Sequence, residues 1–160
     1  MKIGIIVFSL TGQTLAVARK LESELIKAGH AVTLEQLETA APFRLTAKTA
    51  ELKSKPIMDA YRAIVLASPV HGGRMAVPMK SFLEQVPSLK GKKVACLVTQ
   101  FLPHQLGGDQ TIRMMKEECR SKGADVVGTG IVSWLSISRK RQTSLVVNQL
   151  SALFQEGRLI

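Results

Sequence analysis

The stretch Ser9-Leu10-Thr11-Gly12-Gln13-Thr14 lies between an apolar run, Ile3 to Phe8, and an amphipathic run that begins at about Gln13. A strand, a short hydroxyl-rich turn and a helix in this order point several backbone N–H groups and the positive end of a helix dipole at one place. The hydroxyls of the turn add donors, and its glycine lets the backbone approach a ligand closely. The stretch predicts a phosphate monoester site, with an ordinary helix N-cap as the alternative interpretation.

Two other kinds of phosphate site are disfavoured by the same turn. The Gly-Lys pair of the Walker motif is absent, which argues against a nucleoside triphosphate site. The turn holds one glycine, whereas a dinucleotide-binding fingerprint needs three.

The rest of the chain repeats the alternation of strand and helix. Apolar runs at residues 3–8, 63–67, 94–99 and 126–132 and an alternating run at 31–37 predict five strands. Amphipathic runs between them predict four helices, which begin near Gln13, Pro78, Asp109 and Gln142, with Asp109 as the expected N-cap of the third. Residues 38–60 have no clear pattern. The order predicts one α/β domain, 1–160, in which helices cover both faces of a five-stranded parallel sheet in a three-layer sandwich.

Three loops are expected at one edge of this sheet. Ligands of open parallel sheets bind beyond the carboxyl ends of the strands. The loops that lie there are 9–14, 68–74 and 100–108, and they are rich in glycine, proline and hydroxyl side chains. Their convergence is the main sequence argument for a binding site.

The motifs in these loops resemble those of the flavodoxin family. The first loop is similar to that family's FMN phosphate loop, which reads Ser/Thr-x-Thr-Gly-x-Thr after the first strand. Ser68-Pro69-Val70-His71-Gly72-Gly73-Arg74 occupies the place of the loop that borders the flavin ring. Its continuation, Pro78 to Glu84, is similar to the Pro-x-x-Lys-x-Phe-Leu-Glu pattern of many flavodoxin-like proteins. The third loop, Gln100 to Gly108, matches mainly by position.

The resemblance implies a flavodoxin-like fold with strand order 2-1-3-4-5 and FMN as the cofactor. It implies an electron-transfer protein that cycles the flavin between oxidised, semiquinone and hydroquinone states, without catalytic side chains or a metal. The alternative is an NAD(P)H-dependent FMN reductase of quinones or similar acceptors. The residues expected to bind FMN are Ser9, Leu10, Thr11, Gly12, Gln13, Thr14, Ser68, Pro69, Val70, His71, Gly72, Gly73, Gln100, Phe101, His104, Gly107 and Gly108.

Two features depart from the family pattern. Flavodoxins often stack a Trp and a Tyr on the flavin ring, and neither ring loop contains one. His71 or Met75 is the candidate for one side of the ring and Phe101 or His104 for the other, although an exposed loop position is the alternative for each histidine. Flavodoxins are also typically acidic, whereas this chain has a net charge of +10.

The charge and composition of the chain limit which partners and which cellular compartment are expected. A net charge of +10 attracts anionic partners, among them an acidic redox protein or NAD(P)H. Aromatic residues make up only 4% of the chain, which disfavours nucleic acid. Cys96 and Cys119 are expected to be buried, unreactive thiols. The chain shows no membrane span and no leader sequence, so a cytoplasmic protein is expected.

Overall fold

The computed structural model describes residues 1–103, 105–135 and 137–155 of the chain. Within these residues, six strands and four α-helices follow one another, with a turn of 3-10 helix at Met58–Ala60. The elements are β1 (Lys2–Val7), α1 (Gln13–Lys27), β2 (Ala31–Gln36), β3 (Ala63–His71), β4 (Arg74–Met75), α2 (Val77–Gln85), β5 (Lys93–Gln100), α3 (Gly108–Ser121), β6 (Asp125–Ser133) and α4 (Arg139–Ala152).

Five strands form a parallel sheet in the order β2-β1-β3-β5-β6. The two-residue strand β4 lies outside this path and pairs antiparallel with the end of β3. Counted without β4, the order is 2-1-3-4-5, so the predicted flavodoxin-like sheet is confirmed. β2 lies at the sheet edge, and its alternation of exposed and partly buried residues follows from this position.

Helices cover both faces of the sheet, because the side chains of a strand alternate between its two faces. In β1, Ile3, Ile5 and Val7 belong to the core that α1 and α4 cover. Ile6, on the opposite face, belongs to the core that α2 and α3 cover. The arrangement is the expected three-layer sandwich, and it places the carboxyl ends of β1, β3 and β5 at one edge.

The helix boundaries confirm some predicted signals and correct others. Gly29 and Gly123 follow the ends of α1 and α3 with φ angles of 95° and 89°, as glycines that terminate helices do. Asp109 is not the N-cap of α3: Gly107, in the left-handed conformation, holds that position, and Asp109 lies in the first turn. Helix α4 begins at Arg139 rather than at about Gln142. This difference brings three cations into its first turn.

Residues 68–74 are more regular than a loop. Strand β3 continues through Pro69 to His71, and the chain reverses at Gly72 and Gly73 to form a hairpin with β4. Both glycines have positive φ angles, 58° and 76°, the pattern of the tight two-residue turn that suits the twist of paired strands. The Gly-Gly pair therefore determines the shape of the second loop.

Three further expectations concern the cysteines, the unpatterned segment and membrane spans. Cys96 and Cys119 are buried free thiols, as predicted, and a hydrogen bond with Cys119, together with burial, raises the pKa of Cys96. The segment between β2 and the 3-10 turn contains an isolated bridge between Thr39 and Leu52. Among the described residues, no helix combines the length and apolar character needed to cross a bilayer.

Candidate functional site

The first loop is organised around the side chain of Ser9. Its Oγ accepts hydrogen bonds from the backbone N–H of Gly12 at 3.1 Å and from that of Leu15 at 3.2 Å. Ser9 thus joins the turn to the first turn of α1 and serves as an internal cap. Because the oxygen is the acceptor in both bonds, the hydroxyl proton remains able to donate to a ligand.

The loop leaves unpaired donors at the start of α1. Gln13 and Thr14 begin the helix, so their N–H groups have no acceptor inside it, and no described residue accepts a hydrogen bond from them. Gly12 has a φ angle of 92°, and a Cβ placed on it would meet nothing within 4 Å. Unpaired N–H groups at a helix N-terminus, beside a glycine whose side-chain position is open, are the geometry that binds a phosphate. The loop therefore fits the predicted ligand group.

Thr14 connects the first loop to the centre of the sheet. Its side chain is 2% exposed, and its Oγ1 lies 2.7 Å from Oγ1 of Thr99 near the end of β5. Thr99 in turn lies beside Pro69 in the register of β3 and β5. One buried hydrogen bond therefore fixes the position of the first loop relative to the two strands that precede the other loops.

Ser68 has a comparable role in the second loop. Its side chain is fully buried, and its Oγ donates to the carbonyl oxygen of Pro69 at 2.9 Å. The same oxygen accepts from the N–H of Ala76, the N-cap of α2, at 3.2 Å. Both ends of the hairpin are thereby tied to one hydroxyl, which leaves Val70 to Gly73 as the part that projects from the sheet.

His71, at the tip of β3, lies in an aromatic cluster. Its ring stacks on Phe43 with centroids 6.0 Å apart and an interplanar angle of 17°. Phe8, at the end of β1, makes edge contacts with both rings, at 6.1 Å to His71 and 5.4 Å to Phe43. Burial lowers the pKa of His71, and no described residue hydrogen bonds to its Nδ1. The imidazole is therefore held neutral at neutral pH. Met75, the other candidate, is buried in the core.

The third loop is shaped by Gln100, the last residue of β5. Its Nε2 donates to the carbonyl oxygens of Leu102 and Pro103, which folds the chain back over the side chain. Its Oε1 is buried without a described partner and lies where a Cβ on Gly108 would be. The position of the Gln100 amide therefore requires a glycine at 108, because any side chain there would displace the amide that holds the loop.

The second and third loops touch through glycine. Gly107 has a φ angle of 110°, and a Cβ on it would lie 2.7 Å from the Cα of Gly73 and 3.1 Å from Cγ1 of Val70. A side chain at position 107 is excluded both by the backbone conformation and by the hairpin. The structure thus brings the predicted residues of the second and third loops into direct contact.

Large apolar side chains are exposed around the third loop. Phe101 is 63% exposed, and residues on the same loop and after β6 are exposed with it. We call this group the apolar rim; it consists of Phe101, Leu102, Leu106, Leu135 and Ile137. The N–H of Leu135 donates to the carbonyl oxygen of Phe101 at 2.9 Å, so the two parts of the rim lie side by side. His104, a predicted ligand of FMN, lies outside the described residues.

Sequence reasoning missed the side chains that support the loops. Thr99 lies inside an apolar run, and only its contact with Thr14 shows its importance. Phe8 was assigned to the first strand, and Phe43 lies in the segment without a pattern. A phenylalanine beside a proline in a polar segment was the only signal for Phe43.

Comparison with known proteins identifies the family. Residues 1–136 match the family described as NADPH-dependent FMN reductase. The chain belongs to this family. No curated protein matches the sequence. The predicted relation to flavodoxin-like proteins is confirmed, and FMN is the cofactor that membership of this family indicates.

Solved structures show the same fold at low sequence identity. A flavodoxin, WrbA-like protein from Agrobacterium tumefaciens is 12% identical, with a TM-score of 0.71 and coverage of 95% of this chain and 96% of that chain. Flavodoxin 1 from Bacillus cereus is 16% identical, with a TM-score of 0.68 and coverage of 96% and 97%. A flavoprotein in complex with FMN from Lactobacillus acidophilus is 18% identical, with a TM-score of 0.67 and coverage of 91% and 97%.

Proposed function

We propose that this member of the family is an FMN-dependent electron carrier that exchanges electrons with another protein. The observation that carries the proposal is the apolar rim. Exposed apolar side chains grouped beside a cofactor cleft are typical of surfaces that contact another macromolecule. Phe101 and Leu135, from two adjacent strand ends, contribute to one such surface next to the third loop.

The FMN phosphate is assigned to the first loop. The N–H groups at the start of α1 and the hydroxyls of Ser9 and Thr11 would donate to it, and the open space at Gly12 admits it. The phosphate would be held without a cationic side chain from the loop, by N–H groups and the helix dipole. The flavin ring is assigned to the side of the hairpin and of the third loop that faces the first loop, and the contact of Gly107 with Val70 and Gly73 would close the site behind the ring.

When bound, FMN supplies the one- and two-electron chemistry, and the protein supplies binding and orientation. The Gly72–Gly73 turn presents its peptide groups without side chains, so they can approach the ring closely. The neutral His71 ring adds no charge to the site, and its stack on Phe43 fixes the base of the hairpin.

A second candidate is an NAD(P)H-dependent FMN reductase of quinones or similar acceptors. The family match over residues 1–136 favours it, because the family is described by that activity. The positive net charge would also attract an anionic nucleotide.

One experiment separates the two candidates. The FMN-loaded protein is placed under anaerobic conditions, and its visible spectrum is followed after addition of NADPH or NADH and then of dithionite. For a carrier we expect the absorbance of the flavin bands to stay unchanged after either nucleotide is added and to fall when dithionite is added. Rapid bleaching by either nucleotide would establish the reductase instead. A protein that takes up no FMN would contradict both candidates.

A further inference from the structure

Three adjacent cations, Arg139, Lys140 and Arg141, form the first turn of α4, and we call them the basic ridge. All three are exposed, and none forms an ion pair with a described residue. The sequence offers them no acidic neighbour along the chain, because residues 126–155 contain no Asp or Glu. Within the described part of the chain, the ridge is therefore a patch of positive charge without an ion-pair partner.

The ridge lies where the helix itself disfavours it. The N-terminus of a helix carries partial positive charge, so cations in the first turn destabilise it by a few tenths of a kcal/mol to about 1 kcal/mol each. The first turn of α4 contains no acidic residue that would offset this effect. Since these cations destabilise the start of their own helix, a binding partner outside the chain explains their presence better than folding does.

The ridge adjoins the proposed cofactor site. The guanidinium of Arg139 lies 5.8 Å from the centre of the Trp134 ring, a cation–π distance. The backbone N–H of Trp134 donates to the carbonyl oxygen of Gln100 at 2.8 Å. Two contacts thus connect the ridge to the start of the third loop.

Apolar side chains accompany the cations. Ile137, two residues before the ridge, is fully exposed, and Leu135 and Phe101 continue the apolar rim toward the third loop. Apolar side chains flanked by charge are the usual composition of a protein interface, in which the apolar part is buried and the charges set orientation. The ridge lies beyond residue 136, where the match to the family ends.

We propose that the basic ridge and the apolar rim together dock an acidic redox protein. This inference rests on the proposed carrier function and identifies the chemistry of its partner. The partner presents carboxylates to Arg139, Lys140 and Arg141 and an apolar patch to Leu135 and Ile137. A lipid surface is the less suitable occupant, because electrostatic anchoring to anionic lipids uses clusters of four to eight cations.

The test compares two triple charge reversals in the FMN-loaded protein. R139E/K140E/R141E reverses the ridge. K2E/K90E/K93E reverses three exposed cations at the opposite end of the sheet from the site: Lys2 begins β1, Lys93 begins β5, and Lys90 precedes β5. Both triple variants therefore change the net charge by the same amount. The probe is a reduced, acidic two-iron, two-sulfur ferredoxin, and the rate constant of electron transfer to the flavin is measured by stopped flow. Reduced methyl viologen, a small cation, serves as the control donor.

We expect the ridge reversal to lower the rate constant with ferredoxin by about tenfold or more at low ionic strength, and the effect to shrink as salt is added. The control reversal should change that rate constant by less than about threefold, since its charges lie far from the site. Neither variant should react more slowly with methyl viologen. Equal losses in both variants, or no loss in either, would overturn the docking surface.

Two further outcomes would overturn the docking proposal for different reasons. Wild-type protein that takes up no FMN, or that does not react with methyl viologen, would overturn the carrier function and this inference with it. The variants are also tested for binding to vesicles that contain about one third anionic lipid. Vesicle binding that only the ridge reversal removes, with an unchanged ferredoxin rate, would assign the surface to lipid and overturn the acidic-protein proposal.

Discussion

The first loop and the third loop of the site differ in the contacts that their glycines make. The first loop, residues 9–14, is shaped by its own short-range bonds, since Ser9 accepts from Gly12 and Leu15 within six residues. The third loop depends on distant parts of the chain, because Gly107 packs on Gly73 of the hairpin. The turn of the first loop can be understood from a short sequence motif, although the bond between Thr14 and Thr99 fixes its place on the sheet. The third loop adds a contact with the hairpin to the local bonds of Gln100, and that contact requires the assembled sheet. Substitutions in the two loops should therefore differ in size and in what they disturb.

Gly107→Ala, compared with Gly12→Ala, is expected to give the largest effect. Both glycines have φ angles near 100°, so alanine is strained at either position. At Gly12 the strain acts alone and should lower the free energy of unfolding by about 1–2 kcal/mol. At Gly107 the Cβ also meets the Cα of Gly73 at 2.7 Å, and strain plus overlap should lower it by about 2–4 kcal/mol.

Urea denaturation of the two glycine variants measures this difference. A larger loss for Gly107→Ala would show that the hairpin and the third loop are held in contact. Equal losses would mean that the third loop moves away at little cost and that the contact does not hold the site together. FMN binding to both variants then shows which loop determines affinity.

Thr14→Val should have the next largest effect, because it breaks the bond that connects the first loop to β5. The Thr99 hydroxyl would be left buried without its partner, and the free energy of unfolding should fall by about 1–3 kcal/mol. Thr14→Val/Thr99→Val removes both hydroxyls and should be destabilised by less than the sum of the single variants. Strictly additive losses in thermal denaturation would show that the two hydroxyls are not coupled.

The same contrast explains what the sequence could predict. The first loop lies between a strand and a helix that are both evident from periodicity, so its place, and the phosphate proposed for it, are read from one short motif. The five parallel strands and their order followed from the same alternation and from the resemblance. Local patterns suffice where short-range bonds determine the structure.

Features that depend on tertiary contacts were not predictable. Phe43 stacks on His71, yet its position beside a proline in an unpatterned segment does not predict that contact. Pro69 suggested a loop, although it pairs with Thr99 as part of β3. Helix α4 begins at Arg139 and not at about Gln142 as predicted, although the cations at 139–141 disfavour a helix N-terminus. In each case a tertiary contact or a proposed binding role outweighs the conformation that the local sequence favours.

Ser9→Ala should have a smaller effect that is confined to the first loop. Loss of the internal cap leaves the N–H groups of Gly12 and Leu15 without their acceptor, which should lower the free energy of unfolding by about 0.5–2 kcal/mol. Ser9→Thr keeps the hydroxyl and serves as the matched control. If Ser9→Ala matched the wild-type protein in both stability and FMN affinity, the serine would have no part in organising the loop.

The smallest expected effect is a pH dependence of stability that comes from the hairpin and not from the first loop. The first loop has no titratable side chain, whereas His71 in the hairpin has its pKa lowered by burial from its usual value of 6.5. In the window below pH 6.5 the unfolded chain binds the proton more readily, so stability is full above that value and falls as the pH drops through the window. His71→Phe keeps a ring against Phe43 but cannot titrate, so its melting temperature should fall less between about pH 8 and about pH 5. If the two proteins lost the same number of degrees, protonation of His71 would not be what weakens the hairpin, and the acid sensitivity would belong to another part of the molecule.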